Sequence, residues 1–117
     1  MISVLGNYFG NAALLEDLSH ATNYLALHEA DPTGAALAGT ELAGAARPPI
    51  RFSLPAGRSV VSTNAQQFLG LPAAQVSHFG IWDAPAAGNL LVIVTLSPQL
   101  LVGGSLLLPA GEVAVSV

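Results

Sequence analysis

The chain contains no cysteine and no lysine, and only 9% of its 117 residues are charged. Without cysteine there are no disulfides and no thiolate metal sites, and the redox compartment is left open. Without lysine, Arg47, Arg51 and Arg58 are the whole basic complement, and the net charge is −4. That is the reverse of a nucleic-acid footprint, so no nucleic-acid partner is expected. The sequence is 52% hydrophobic with a mean hydropathy of +0.60, whereas a soluble domain is about one quarter charged. A lone protomer of this composition lacks the polar groups to cover its surface, which points to life inside an assembly. No positive segment precedes the apolar start Met1-Ile2-Ser3-Val4, so no signal peptide is expected. Ala84 to Gly111 is free of charge and long enough to span a bilayer. Asn89, Ser97-Pro98-Gln99, Gly103-Gly104 and Pro109 cut it into strand-sized pieces, so no membrane partner is expected either.

What is present reads as one β-rich domain over residues 1–117, large enough for a modest core. Asn11 to Ser19 is the exception. Leu14, Leu15 and Leu18 recur at helical spacing behind a candidate Asn11 cap, predicting one short helix. Thr22 to Leu27 predicts a first strand. Asp31-Pro32-Thr33-Gly34 is a turn. Ala35 to Ala46 is an Ala/Gly excursion with Glu41 as its single charge, and Arg47-Pro48-Pro49 ends it. Long loops of this kind usually do something, and docking onto a neighbouring subunit is the expected use. Ile50 to Leu54 predicts a strand with Ile50, Phe52 and Leu54 on one face. Arg58 to Thr63 and Ala65 to Leu69 predict two more, and Leu71-Pro72-Ala73-Ala74 a connection. Val76 to Trp82 and Leu90 to Leu96, joined by Asp83-Ala84-Pro85-Ala86-Ala87-Gly88-Asn89, predict a hairpin central to a sheet, with Phe79 and Ile81 facing the core and His78 facing away. Ser105 to Leu108 and Glu112 to Val117 predict a last hairpin. The class is mainly β: an antiparallel β-sandwich or barrel-like fold with one short N-terminal helix.

Little here can carry chemistry. His20, His28 and His78, with Glu29 and Asp31 nearby, show no metal-ligand spacing, so no metal site is expected. Ser77, His78 and Asp83 are the residue types of a nucleophilic triad. Neighbours in a strand point to opposite faces, however, and no nucleophile elbow is present. The glycine-rich segments match neither a phosphate loop nor a dinucleotide fingerprint. No cofactor and no enzyme activity are expected. Trp82 beside Asp83 is open to two readings, a binding hot spot or a core aromatic at a strand end.

Several segments resemble a family of small virion proteins of tailed bacteriophages, variously described as tail-fibre-like, minor tail or capsid decoration proteins. The resemblance runs from about Asn11 to Val117. It is carried by Tyr24-Leu25-Ala26-Leu27-His28 with Asp31-Pro32-Thr33, by Glu41, Gly44 and Ala46-Arg47, by Phe52, and by Asn64 after Thr63. Its most specific piece is His78-Phe79-Gly80-Ile81-Trp82-Asp83-Ala84 with Gly88-Asn89-Leu90-Leu91. The chain departs from the family at Ala45, where an aromatic is usual, at Pro48 in place of glutamine, and at Ala87-Gly88 in place of paired glycines.

The resemblance implies a β-rich virion component without catalysis. Combined with the low charge and the Ala/Gly excursion, it leads to the expectation of a capsid decoration, or cement, protein. Such a protein would be an oligomer on the capsid exterior, assembled in the host cytoplasm and bound to the major capsid protein and to copies of itself. The excursion Asp31 to Pro49 would reach a neighbouring subunit. The alternatives are a minor tail or tail-fibre component and a carbohydrate-binding module using Trp82, Asp83 and Asn89. Candidates for assembly or fold are Asp31, Pro32, Glu41, Arg47, Phe52, His78, Phe79, Gly80, Trp82, Asp83, Gly88, Asn89 and Leu90.

Overall fold

A computed structural model describes residues 2–5, 17–30, 41–42 and 44–116. Among the described residues there are seven strands: β1 (Ile2–Leu5), β2 (Asn23–His28), β3 (Pro49–Ile50), β4 (Ser59–Val61), β5 (Gln66–Trp82), β6 (Leu90–Leu108) and β7 (Val113–Ser116). They form two sheets, one ordered β1-β7-β4 and the other β3-β2-β5-β6. All pairings are antiparallel except β1 with β7. Residues 17–20 form a helical turn. Its Leu18 is fully buried, and the rest of the predicted helix, from Asn11 to Glu16, lies outside the described residues.

One apolar cluster lies between the sheets. Val60, Val113 and Val115 enter it from one sheet, and Leu25, Phe79 and Ile81 from the other. Phe79 and Ile81 face the core as the period-two reading requires.

The β5–β6 hairpin is longer than its pattern predicts. Leu71 to Ala74 is strand, not a connection, and Ser97-Pro98-Gln99 does not end β6. Bulges absorb these residues. Leu69 and Gly70 lie opposite a single β6 residue, and so do Pro72 and Ala73. Four residues of β6, Leu96 to Gln99, span the gap opposite Ser77 alone. Proline is tolerated in a strand where a bulge removes the need for its missing N–H. Bulges also bend and twist a ribbon, which lets strands of 17 and 19 residues curl around the core.

Three expectations change at this level. β5 is internal to its sheet but β6 is its edge strand, so only half of the hairpin is central. β7 does not pair with β6; it crosses to the other sheet, between β1 and β4. The predicted strand Ile50 to Leu54 is split. Ile50 pairs with Asn23 in one sheet, and Phe52 bridges to Ser62 beside the other. Leu54, past the switch, is 69% exposed instead of sharing the buried face of Ile50 and Phe52.

Phe79→Ala empties a fully enclosed aromatic site. It is expected to cost about 3–5 kcal/mol, read as a lowered midpoint in a urea titration. A loss below about 1 kcal/mol would contradict the packing described.

Candidate functional site

The described half of the Ala/Gly excursion folds back onto its own domain. The Leu42 N–H donates to the Leu27 carbonyl at 2.8 Å, and Glu41 bridges to His28 at the end of β2. Leu42 is buried. Five residues on, Arg47 enters the protein. Its side chain is 5% exposed.

The Arg47 guanidinium donates four hydrogen bonds. Nε donates to Glu41 Oε2 at 2.9 Å and Nη2 to Glu41 Oε1 at 2.7 Å, a two-point pair with the carboxylate. Nη1 donates to the carbonyls of Ala84 at 3.0 Å and Ala87 at 2.8 Å. Its Cζ lies 4.1 Å above the ring of Trp82, within cation–π range. A single side chain thus joins the excursion, the β5–β6 loop and the end of β5.

Trp82 is closed on its other side. Its Nε1–H donates to His28 Nε2 at 3.3 Å, and the two rings stack with a 15° interplanar angle. The neutral His28 ring therefore carries its proton on Nδ1. Burial is the main cause of a His28 pKa lowered to about 4; Arg47 and His78 lower it further, and Glu41 opposes them. Gly80 makes the contact possible. A Cβ there would sit 2.5 Å from His28 Nε2 and 2.8 Å from Trp82 Nε1.

The loop between β5 and β6 is tied by Asp83 and Asn89. Asp83 Oδ1 accepts the Asn89 N–H at 2.7 Å, and Oδ2 accepts Asn89 Nδ2 at 2.9 Å. These bonds hold the Asp83 carboxyl below its ordinary pKa. Ala87 and Gly88 both have positive φ, at 52° and 78°. The first is strained for alanine, which explains why a family with paired glycines at this place would favour them. A Cβ on Gly88 would also strike Asp83 Oδ1 at 2.5 Å. Leu90, half-buried, opens β6 opposite Trp82.

Of the other candidates, Phe52 and Phe79 are core residues, and Asp31 and Pro32 lie outside the described residues. Ser77 and His78 do not diverge as strand neighbours should. Ser77 Oγ lies 2.7 Å from His78 Nδ1, because the register shift between Val76 and His78 breaks the alternation. Asp83 does not complete a triad, since both its oxygens are held by Asn89. Among the described residues, no group of three His, Asp or Glu side chains could hold a metal, and no helix is long and apolar enough to cross a membrane. An open polar hollow of about 470 Å³, lined by Ser19, His20, Thr22, Arg51 and Thr63, shares no residue with the Arg47 cluster. The sequence reading missed the Ala84 and Ala87 carbonyls. A carbonyl acceptor leaves no residue-type signal, and only the turn-rich loop hinted at them.

Residues 3–116 match the family described as Podophage GP4 fiber I protein gp80. The chain belongs to that family. It is a component of the podophage virion, in the tail fibre. This corrects the expectation of a capsid decoration protein, and with it the capsid exterior and the major capsid protein as partner. Low charge and apolar content indicate an assembly but not which part of the virion, and both readings predict them. No curated protein matches this gp80-family chain.

The Arg47 cluster generates two predictions. Arg47→Ala leaves the Glu41 carboxylate and two carbonyls without their donor. A loss of about 3–5 kcal/mol is expected in chemical denaturation, and Arg47→Lys should recover little of it, because lysine cannot span the fork. The second concerns pH. The folded His28 pKa lies below the ordinary 6.5, so as pH falls the unfolded chain takes up the proton first. Stability should therefore decline from about pH 6.5 to about pH 4 and level off below, by up to about 3 kcal/mol from this group. Thermal melts across that range should show the slope, and His28→Gln should flatten it.

Proposed function

We propose that this chain is a non-catalytic structural subunit of a podophage tail fibre. It works as one folded unit over residues 1–117, in contact with copies of itself and with neighbouring fibre components. The carrying observation is how the chain uses the residues of its family resemblance. Glu41, Arg47, Gly80, Trp82, Asp83 and Asn89 bond or pack against one another. Side chains so engaged build a domain and are not presented to a substrate.

The same contacts speak against a carbohydrate module at this place. A sugar platform needs an open aromatic face, and Trp82 is 2% exposed beneath Arg47 and beside His28. Asp83 and Asn89 are bonded to each other.

Separating particles into heads and tails, followed by quantitative mass spectrometry, tests the reading. The protein should follow the tails and be scarce on tailless heads. Lattice stoichiometry on purified heads would overturn it.

A further inference from the structure

Asn64 belongs to the family resemblance but has no part in the Arg47 cluster. Its Oδ1 accepts the Arg51 backbone N–H at 2.8 Å, and its Nδ2 donates to the Pro49 carbonyl at 3.1 Å. Gln66, fully buried, donates Nε2 to the Asn64 carbonyl at 2.6 Å and to Asn64 Oδ1 at 3.2 Å. The Arg51 carbonyl accepts the Thr63 N–H at 2.8 Å. The backbone of Arg51 is therefore held on both sides. Its side chain is not. Arg51 is exposed, and among the described residues its guanidinium has no hydrogen-bond or ion-pair partner.

This arginine lines the polar hollow, with Thr63 from its own side and Ser19, His20 and Thr22 from the segment before β2. That second segment is held as well. Asn23, 2% exposed, donates Nδ2 to the Leu18 carbonyl at 3.2 Å and to the Ala21 carbonyl at 3.4 Å. Two amide side chains thus set both segments of the hollow in advance, which lowers the ordering cost of binding. What the hollow presents is mostly donors. The guanidinium carries five N–H groups and no acceptor, and Ser19, Thr22 and His20 add hydroxyl and imidazole groups. Among the described residues, none that line it is acidic, in a chain with seven acidic residues and three basic ones. Arg47 commits its charge to Glu41 inside the protein, whereas the charge of Arg51 faces outward.

We propose that this hollow binds a phosphate group carried by a small hydroxylated molecule. A guanidinium fork meets two phosphate oxygens at once. A carboxylate has both its oxygens taken by such a fork. A phosphate keeps a further oxygen, which hydroxyls such as those of Ser19 and Thr22 are suited to meet. The volume of about 470 Å³ falls in the range of small-molecule sites and exceeds a bare phosphate, so room is left for the carrier. A polar lining calls for a hydroxylated carrier over an apolar one. The inference does not depend on the fibre reading.

Isothermal titration calorimetry on the full-length protein at fixed ionic strength tests this, with glucose 6-phosphate, glucuronate and glucose as probes. Glucose 6-phosphate should bind with a Kd of about 1 mM or tighter. Glucuronate and glucose should bind about tenfold more weakly, or worse. Arg51→Gln should weaken glucose 6-phosphate binding by about tenfold or more, the loss of a charge-assisted contact. Its far-UV spectrum and melting temperature should not change, since the guanidinium has no partner to lose among the described residues. Arg51→Lys keeps the charge without the fork and should fall between the two. Arg58→Gln removes the same charge outside the hollow and should bind as the wild type does. Absence of glucose 6-phosphate binding, glucuronate or glucose binding as tightly, normal binding by Arg51→Gln, or an equal loss in Arg58→Gln would each overturn the proposal. The fibre reading is decided separately, by where the protein goes in fractionated particles.

Discussion

The arrangement depends on one buried guanidinium. Moving Arg47 out of water costs several kcal/mol, and its pairing has to offset that. It does so with four donated hydrogen bonds, two to Glu41 and one each to the Ala84 and Ala87 carbonyls. Hydrophobic replacements of good shape can match a buried ion pair in stability, but none would join the same segments. Among the described residues, no sheet ladder binds the excursion after β2 to the loop after β5. The planar fork fixes their separation and angle, so its contribution is specificity of position.

Other features follow from that placement. Trp82 can be buried at a strand end because Arg47 covers one side and His28 accepts its N–H on the other. His28 stays neutral in part because the Arg47 charge is close. Ala87 is held at positive φ while its carbonyl accepts from Nη1. A strained residue persists when its surroundings over-determine it, and here the Arg47 bond, the Asp83–Asn89 tie and the neighbouring Gly88 do so.

Much of the β pattern was legible in the chain. The alternation over Phe79 to Trp82, the turn residues from Asp83 to Asn89 and the apolar run after them located the hairpin and its buried face. Bulges were not legible, because an extra residue changes register without changing composition. So the hairpin read as short strands, and Ser77 and His78 read as divergent. The path of β7 was hidden for another reason. A turn at Pro109-Ala110-Gly111 shows that the chain reverses, not which sheet receives it. Arg47 was the hardest to read. Its carbonyl partners are 37 and 40 residues away, and no local period connects them. The same blindness made the excursion look like a free arm, although its described part is pinned to its own domain.

The error about capsid and fibre has a physical basis. Scarce charge says that much of the surface is meant to be covered, and every protein of a virion meets that condition. The residues of the family resemblance cannot decide the question from their chemistry, because they are largely consumed inside the domain. Arg47, Trp82 and Gly80 tell how the chain folds. What the domain holds on to must be sought on faces those residues do not occupy. The hollow at Arg51 is such a face. Asn64, another residue of the resemblance, spends its side chain on the backbone around Arg51, and so sets the place from which the guanidinium faces outward.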